Sequence, residues 1–112
     1  MIMLTQDIRG NKFQDGDLAL KIVDMGSNAT QLCYCVVIKG HPYYKKYGGI
    51  TSYKRQKEES IVKVMDVTET EKEIRRDLLQ GIANEAPNSV MLTKSTIERA
   101  QELCAICYNE TT

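Results

Sequence analysis

Residues 32–38 form the longest uninterrupted apolar run of the chain, Leu32-Cys33-Tyr34-Cys35-Val36-Val37-Ile38. The run has the length of a strand and is rich in β-branched residues. A second apolar segment, Leu18-Ala19-Leu20-Lys21-Ile22-Val23, precedes it, and its large aliphatic residues recur at a spacing of two, as in a half-buried strand. Only a short turn-rich stretch, residues 24–30, separates the two segments. We therefore predict that they pair as an antiparallel hairpin.

Two further strands are predicted, one before and one after this hairpin. The stronger prediction covers residues 60–67, an apolar segment rich in valine. The weaker one covers residues 6–13 and is interrupted by Gly10-Asn11, a pair that is typical of a turn. The first half of the chain, residues 1–67, is therefore expected to consist mainly of strands.

The second half of the chain, residues 68–112, changes to a helical pattern. Thr68 and Thr70 are each followed three residues later by Glu, which is the capping-box pattern of a helix start. An apolar stripe at helical spacing follows, and Gly81 and Pro87 are expected to end this helix. Ser95 begins another capping box with Glu98. It predicts a final helix whose apolar side consists of Ile97, Ala100, Leu103, Cys104, Cys107 and Tyr108.

The chain has 112 residues and a mass of 12.7 kDa, a size that suits a single domain, residues 1–112. Strands followed by two helices predict an α+β fold, with an N-terminal antiparallel sheet or partly open barrel of three to five strands. No apolar run approaches the ~20 residues needed to span a bilayer, and the N-terminus lacks a basic leader segment. We therefore expect a cytoplasmic protein without membrane contact.

Charge is distributed unevenly along the chain. Lys plus Arg and Asp plus Glu both number 15, so the net charge is zero. Residues 25–57, however, hold six cations and no acid, whereas residues 58–112 hold eleven acids and six bases. Five of the six tyrosines also lie between residues 34 and 53. The basic, tyrosine-rich part, residues 39–57, joins two predicted strands, and loops of this length inside small domains are usually functional or disordered.

These residue types together suit a ligand that is both anionic and aromatic. Lys and Arg bind phosphate or carboxylate, Tyr stacks on a base, and Gly-Gly lets backbone N–H groups approach an anion. We therefore predict a non-enzymatic module that binds a nucleotide-like small molecule, with single-stranded nucleic acid as a further ligand class, for sensing or sequestration, with no cofactor. The candidate binding residues are His41, Tyr43, Tyr44, Lys45, Lys46, Tyr47, Gly48, Gly49, Tyr53, Lys54 and Arg55.

The same segment has two other interpretations. It suits docking on an acidic partner protein, which would make the chain a small interaction or inhibitor protein. It also suits a solvated hairpin extension in which Lys discourages pairing between sheet edges. Because an acidic half and a basic segment are complementary surfaces, we expect a homo-oligomer, and a narrow apolar seam on the last helix is one place for the contact.

Metal binding and catalysis receive less support from the sequence. Four cysteines in two close pairs, Cys33, Cys35, Cys104 and Cys107, allow a zinc site as an alternative to core packing. Their positions inside apolar patterns favour packing, so no metal is predicted. His41 is the only histidine, and no nucleophile or paired carboxylate is placed beside it by spacing. The chain is therefore not expected to be an enzyme.

Overall fold

A computed structural model describes residues 5–24, 30–46, 49–52, 61–87 and 92–110. Its elements are β1 (Asp17–Asp24), β2 (Thr30–Ile38), β3 (His41–Lys46), β4 (Gly49–Ser52), β5 (Ile61–Lys63), α1 (Glu69–Ala83) and α2 (Lys94–Glu110). The predicted α+β class is confirmed: an open antiparallel sheet is followed by two C-terminal helices. Within the described part of the chain, no helix combines the length and apolar character needed to cross a membrane.

The five strands form one sheet in the order β4-β3-β2-β1-β5, and every pair of neighbours is antiparallel. β1 and β2 pair over eight positions, from Asp17 opposite Val37 to Asp24 opposite Thr30. This is the hairpin that the two apolar segments predict. β5 pairs with the other side of β1, so β1 and β2 are interior strands.

The basic segment differs from the predicted loop, because residues 41–46 and 49–52 form the strand pair β3–β4. A two-residue turn at Lys39-Gly40, with φ values of 52° and 77°, joins β2 to β3. Positive φ at both central residues is what a type I′ hairpin turn requires. The backbone N–H of Lys39 also donates to Asp15 Oδ1 at 2.8 Å. Residues 41–46 therefore form a strand because they pair with β2 after this turn. An apolar alternation is not the reason.

The two outer predicted strands are shorter than expected. Only Ile61–Lys63 of the predicted segment 60–67 pairs with β1; Ser60 lies outside the described residues, and the chain leaves the sheet after a last hydrogen bond from Val64 N to Leu18 O at 3.0 Å. The predicted weak strand at residues 6–13 is a turn closed by a single bridge between Gln6 and Lys12.

Strand alternation gives the sheet two buried faces. The face toward the helices, here called the helix face, carries Leu18, Val36, Ile38 and Tyr43, which pack with α1 and α2 residues. The opposite face carries a smaller cluster of Ala19, Cys35, Val37 and Ile61, with Phe13 and Tyr44 against it. Because both faces exclude water, a slip of one residue in the β1–β2 register would exchange the two sets of side chains.

The start of α1 agrees with the prediction. Thr68 is the N-cap, its hydroxyl accepts from the backbone N–H of Glu71, and Glu71 accepts from the backbone N–H of Thr68, at 3.1 and 3.0 Å. The second carboxylate oxygen of Glu71 accepts from the Tyr34 hydroxyl at 2.8 Å, which fastens the helix start to β2. The pKa of Glu71 lies below its ordinary value, mainly because of the hydrogen bond from the Thr68 backbone and secondly because of the one from Tyr34.

The second helix starts differently from the prediction. The hydroxyl of Thr93 accepts from the backbone N–H of Thr96 at 3.3 Å, so Thr93 rather than Ser95 caps α2. Part of the predicted apolar stripe packs into the chain's own core, where Ile97, Ala100 and Leu103 are buried against the sheet and α1. These three residues are therefore occupied within the chain and do not form a seam between chains. The side chains of Cys107 and Tyr108 lie outside the described residues.

A buried carboxylate joins the N-terminal turn to β5. Asp7 is 1% exposed and accepts four hydrogen bonds: from the backbone N–H groups of Arg9, Asn11 and Lys63 and from the Asn11 amide, at 2.8–3.2 Å. Burial by itself would raise the pKa of Asp7, but the hydrogen bonds outweigh it and hold the pKa below its ordinary value.

Replacing Asp7 by Ala is expected to lower the free energy of unfolding by about 2–4 kcal/mol, because three partly buried backbone N–H groups and the Asn11 amide lose their acceptor. Asp66→Ala, at an exposed position, is the matched control and should change it by less than about 0.5 kcal/mol. Urea unfolding followed by circular dichroism measures both.

The same carboxylate predicts a pH dependence. Because its pKa is lowered by folding, Asp7 stabilises the folded state above the ordinary carboxyl pKa, and this contribution is lost as the pH falls through the folded-state value. The stability difference between wild type and Asp7→Asn should therefore shrink on acidification. A difference that stays constant from pH 7 to pH 3 would contradict this assignment.

Candidate functional site

The β3–β4 hairpin contacts the second half of α1 through two side chains. Lys45 Nζ donates to Asp77 Oδ2 at 3.0 Å, and both side chains keep substantial exposure, 44% and 74%. Ile50 lies over Gly81: a Cβ on this glycine would be 3.0 Å from Ile50 Cδ1 and 3.6 Å from Lys45 Cε. We call this contact the hairpin–helix junction.

The glycine is therefore used for close approach and does not end the helix. α1 continues to Ala83, with Asn84 as the C-cap, whose backbone N–H bonds to Gln80 O and Ile82 O. The prediction that Gly81 acts as a stop signal is wrong. Without a side chain at this position, the hairpin packs closely on the helix backbone.

A groove runs along the exposed side of α1 next to this junction. Its volume is about 480 Å³. It is lined by Thr70, Glu73, Ile74, Arg76, Asp77 and Gln80. Asp77 belongs to both features, so Lys45 reaches the rim of the groove.

Arg76 is the side chain with the most unused bonding capacity in this groove. It is half-buried, and its Nε is buried without any hydrogen-bond partner among the residues that the structure describes. A guanidinium carries five N–H donors in a planar fork, which matches the two oxygens of a carboxylate or phosphate. A buried donor that lacks a partner is costly. An anion in the groove that draws the Arg76 guanidinium into a hydrogen bond would relieve this cost and so gain binding free energy.

The groove carries charges of both signs, and none of the ion pairs found in the described residues involves Arg76. Asp77 is engaged by Lys45, whereas Glu73 is exposed to solvent, where its field is screened. Lys72, on the same helix, is paired with Glu69 at 3.2 Å and does not line the groove. The groove therefore combines the guanidinium of Arg76 with the apolar side chain of Ile74, and Lys45 adds a cation at its Asp77 edge.

The predicted binding residues that the structure describes do not all lie on one surface. Tyr43 is 1% exposed, and its ring packs in the core of the helix face. Burial raises the pKa of Tyr43. Tyr44, the next residue, lies on the opposite face, half-buried, with its pKa also raised by burial. Strand alternation explains the separation. Lys45 and half-buried His41 follow the register of Tyr43, and Lys45 reaches α1.

For the other predicted residues the description is partial. Lys46 and Gly49 lie opposite each other at the end of β3 and the start of β4. Tyr47, Gly48, Tyr53, Lys54 and Arg55 lie outside the described residues.

Three of the four cysteines have described side chains, and the sheet separates them. Cys33 and Cys35 follow the opposite face of β2, whereas Cys104 packs against the core of the helix face. These three cysteines therefore cannot bind one zinc ion together, which the four-cysteine alternative requires; the side chain of Cys107 lies outside the described residues. Among the described residues, no group of three or more metal-ligating side chains comes together.

Sequence reasoning missed the groove because its residues look like an ordinary solvated helix face. Thr70, Glu73, Asp77 and Gln80 do recur at spacings of three and four, which places them on one side of α1. Nothing in that spacing indicates that Arg76 lacks a partner or that the hairpin lies alongside.

Comparison with protein families, with curated proteins and with solved structures gives no match for this chain. The functional argument therefore rests on the residues themselves.

The junction predicts energetic coupling between Gly81 and Ile50. In wild type, Gly81→Ala gains helix propensity of up to about 1 kcal/mol but forces Ile50 to move. Ile50→Val removes the closest atom, Ile50 Cδ1. In this background, Gly81→Ala should be about 0.5–1 kcal/mol more stabilising than it is in the wild type. Chemical unfolding of the four proteins measures this coupling.

Ile74→Val is the matched control, since residue 74 lies two turns away on the same helix. Its effect should add to that of Gly81→Ala. If Ile50→Val and Gly81→Ala have additive effects on the free energy of unfolding, the hairpin does not pack closely on Gly81.

Proposed function

We propose that this protein is a non-enzymatic binding module for an anionic aromatic ligand, with a nucleotide-derived small molecule as the preferred class. The observation that carries the proposal is the half-buried Arg76, whose buried Nε has no partner in the described part of the chain, in a groove next to Lys45. The module would sense or sequester its ligand.

The phosphate of such a ligand would bind at the rim between Arg76 and Lys45. Arg76 offers a bidentate contact, and Lys45 offers a mobile point charge. Binding would require Lys45 to share or exchange its contact with the exposed Asp77 carboxylate, which costs little because exposed ion pairs contribute only about 0–1 kcal/mol. The groove volume of about 480 Å³ is in the usual range for small-molecule sites.

Other residues are candidates for stacking on the aromatic part of the ligand. Tyr47 and Tyr53 are adjacent in sequence to the β3–β4 pair and stay predicted stacking platforms, since they lie outside the described residues. Tyr43 is excluded by its burial. A stacked base adds roughly 1–3 kcal/mol, so a nucleotide should bind more tightly than its phosphate group alone.

The second candidate function is docking on an acidic protein surface. The observation that favours it is the contact between Lys45 and the exposed Asp77, because the hairpin already binds a carboxylate of α1. A partner rich in Asp and Glu would replace this intramolecular contact with an intermolecular one. Self-association through the same charges is the corresponding proposal for a homo-oligomer.

A thermal-shift panel distinguishes these functions. ADP should raise the melting temperature in a concentration-dependent way, and pyrophosphate and adenosine should each do so more weakly. An eight-residue oligothymidylate tests single-stranded nucleic acid, and a glutamate-rich peptide tests the protein-docking alternative. Stabilisation by the peptide alone would favour docking, whereas no response to any probe at millimolar concentration would overturn both functions.

Two groove variants test the assignment of residues. Arg76→Gln should weaken ADP binding by about tenfold or more, because a charge-assisted bidentate contact is lost. Lys45→Gln should weaken it by about threefold, and added salt should reduce the difference from wild type. Isothermal titration calorimetry measures the three dissociation constants.

Lys72→Gln removes a cation from the same helix outside the groove and is the matched control. Its dissociation constant should stay within about twofold of the wild-type value. Equal losses in Lys72→Gln and Arg76→Gln would indicate a general charge effect and contradict the proposed site.

A further inference from the structure

Four charged side chains line or border the α1 groove, and their charges sum to zero. Glu73, Arg76 and Asp77 line the groove, and Lys45 adds a cation at its Asp77 edge. Lys45 and Asp77 pair with each other at 3.0 Å. In the part of the chain that the structure describes, neither Glu73 nor Arg76 takes part in an ion pair. The groove therefore offers an incoming anion one unpaired cation, beside one unpaired carboxylate.

This balance limits the negative charge that a ligand can bring. The first negative charge is met by the Arg76 guanidinium. A second charge finds no unpaired cation among the described lining residues, and the carboxylates of Glu73 and Asp77 repel it. If Lys45 turns to the ligand, it leaves Asp77 unpaired, so the total charge does not change. Because both carboxylates are exposed, solvent screening limits the discrimination to a few-fold.

Among nucleotide-derived ligands, the charge depends on how the phosphate is esterified. A phosphodiester has two non-bridging oxygens that share a single negative charge. A phosphate monoester has three non-bridging oxygens and carries about −1.5 to −2 charges at pH 7. The two oxygens of a diester match the planar fork of the Arg76 guanidinium. The additional charge of a monoester is not balanced by this arginine.

We propose that the α1 groove selects nucleoside phosphodiesters over phosphate monoesters. Arg76 binds the phosphate, and Glu73 and Asp77 discriminate against additional negative charge. This inference rests on the proposed function and names its ligand class: a cyclic mononucleotide or a dinucleotide, each with one negative charge per phosphate. ADP, which carries more charge, is then a weaker ligand of the same groove.

Two ligands that differ by one ionisable oxygen test the selection. AMP and its 5′-phosphate methyl ester share the base and the sugar, but the ester carries only one negative charge. Isothermal titration calorimetry near pH 7.5, at fixed ionic strength and without divalent cations, should give the ester a dissociation constant about threefold lower than that of AMP. Cyclic 3′,5′-AMP and adenylyl-adenosine should also bind more tightly than AMP, and the tighter of the two identifies the form of the ligand.

Asp77→Asn tests the assignment of the discriminating residues. The substitution removes a repelling charge and leaves Lys45 unpaired, so a second negative charge on the ligand now finds a cation. The affinity for AMP should rise about fivefold and that for the methyl ester about twofold, so that the preference for the ester disappears. Glu73→Gln should narrow the preference less than Asp77→Asn does, because it frees no cation.

Glu69→Gln is the matched control. Glu69 is also an exposed acid of α1 that pairs with a lysine, Lys72, at 3.2 Å, but neither residue is among those that line the groove. This substitution should leave the ratio of the two dissociation constants unchanged within about 1.5-fold.

The outcomes separate this inference from the proposed function. Tighter binding of AMP than of its methyl ester by the wild type, or an undiminished preference for the ester in Asp77→Asn, would overturn the inference while nucleotide binding itself stands. Failure of all four ligands to bind would refute the proposed function and this inference with it.

Discussion

The pairing of β1 with β2 is the constraint on which the other features depend. Eight residue pairs hold the register from Asp17–Val37 to Asp24–Thr30. This register turns Leu18 and Val36 toward the helices and Ala19 and Cys35 toward the opposite face. Because both faces of the sheet are buried, a slip of one residue in this register would exchange the two sets of side chains and disrupt the packing on each face.

The hairpin–helix junction converts this scaffold into a candidate binding site. β3 extends the sheet because it pairs with β2, and β4 follows β3, which brings Ile50 and Lys45 against α1. Gly81 permits this contact, and the Tyr34–Glu71 hydrogen bond holds the other end of the same helix on the sheet. The helix is thus fixed at both ends by different strands. The side of this helix that carries Arg76 is the candidate surface for an anionic ligand.

Local patterns in the sequence account for much of the fold and little of the site. Period-two alternation predicts β1, the uninterrupted apolar run predicts β2, and Thr68 with Glu71 predicts the start of α1, because each signal lies within a few residues of the structure that it specifies. The β3–β4 pair carries Lys and Tyr without an apolar alternation, so its strand character depends on β2 as a partner. The Nε of Arg76 lacks a partner among the described residues, and Gly81 allows the hairpin to approach the helix closely. Both features depend on tertiary contacts, which the spacing of residues in the sequence does not indicate.

The central claim, that Arg76 receives an anionic ligand in the α1 groove, is tested most directly by nuclear magnetic resonance. In protein labelled with ¹⁵N, titration with ADP should shift the Nε–Hε signal of Arg76 together with the backbone amides of Lys45 and Asp77. The amides of Ala19 and Cys35, on the opposite side of the sheet, should not move. Saturable binding of ADP that leaves the Arg76 signal unchanged, or that shifts the opposite face instead, would contradict the account.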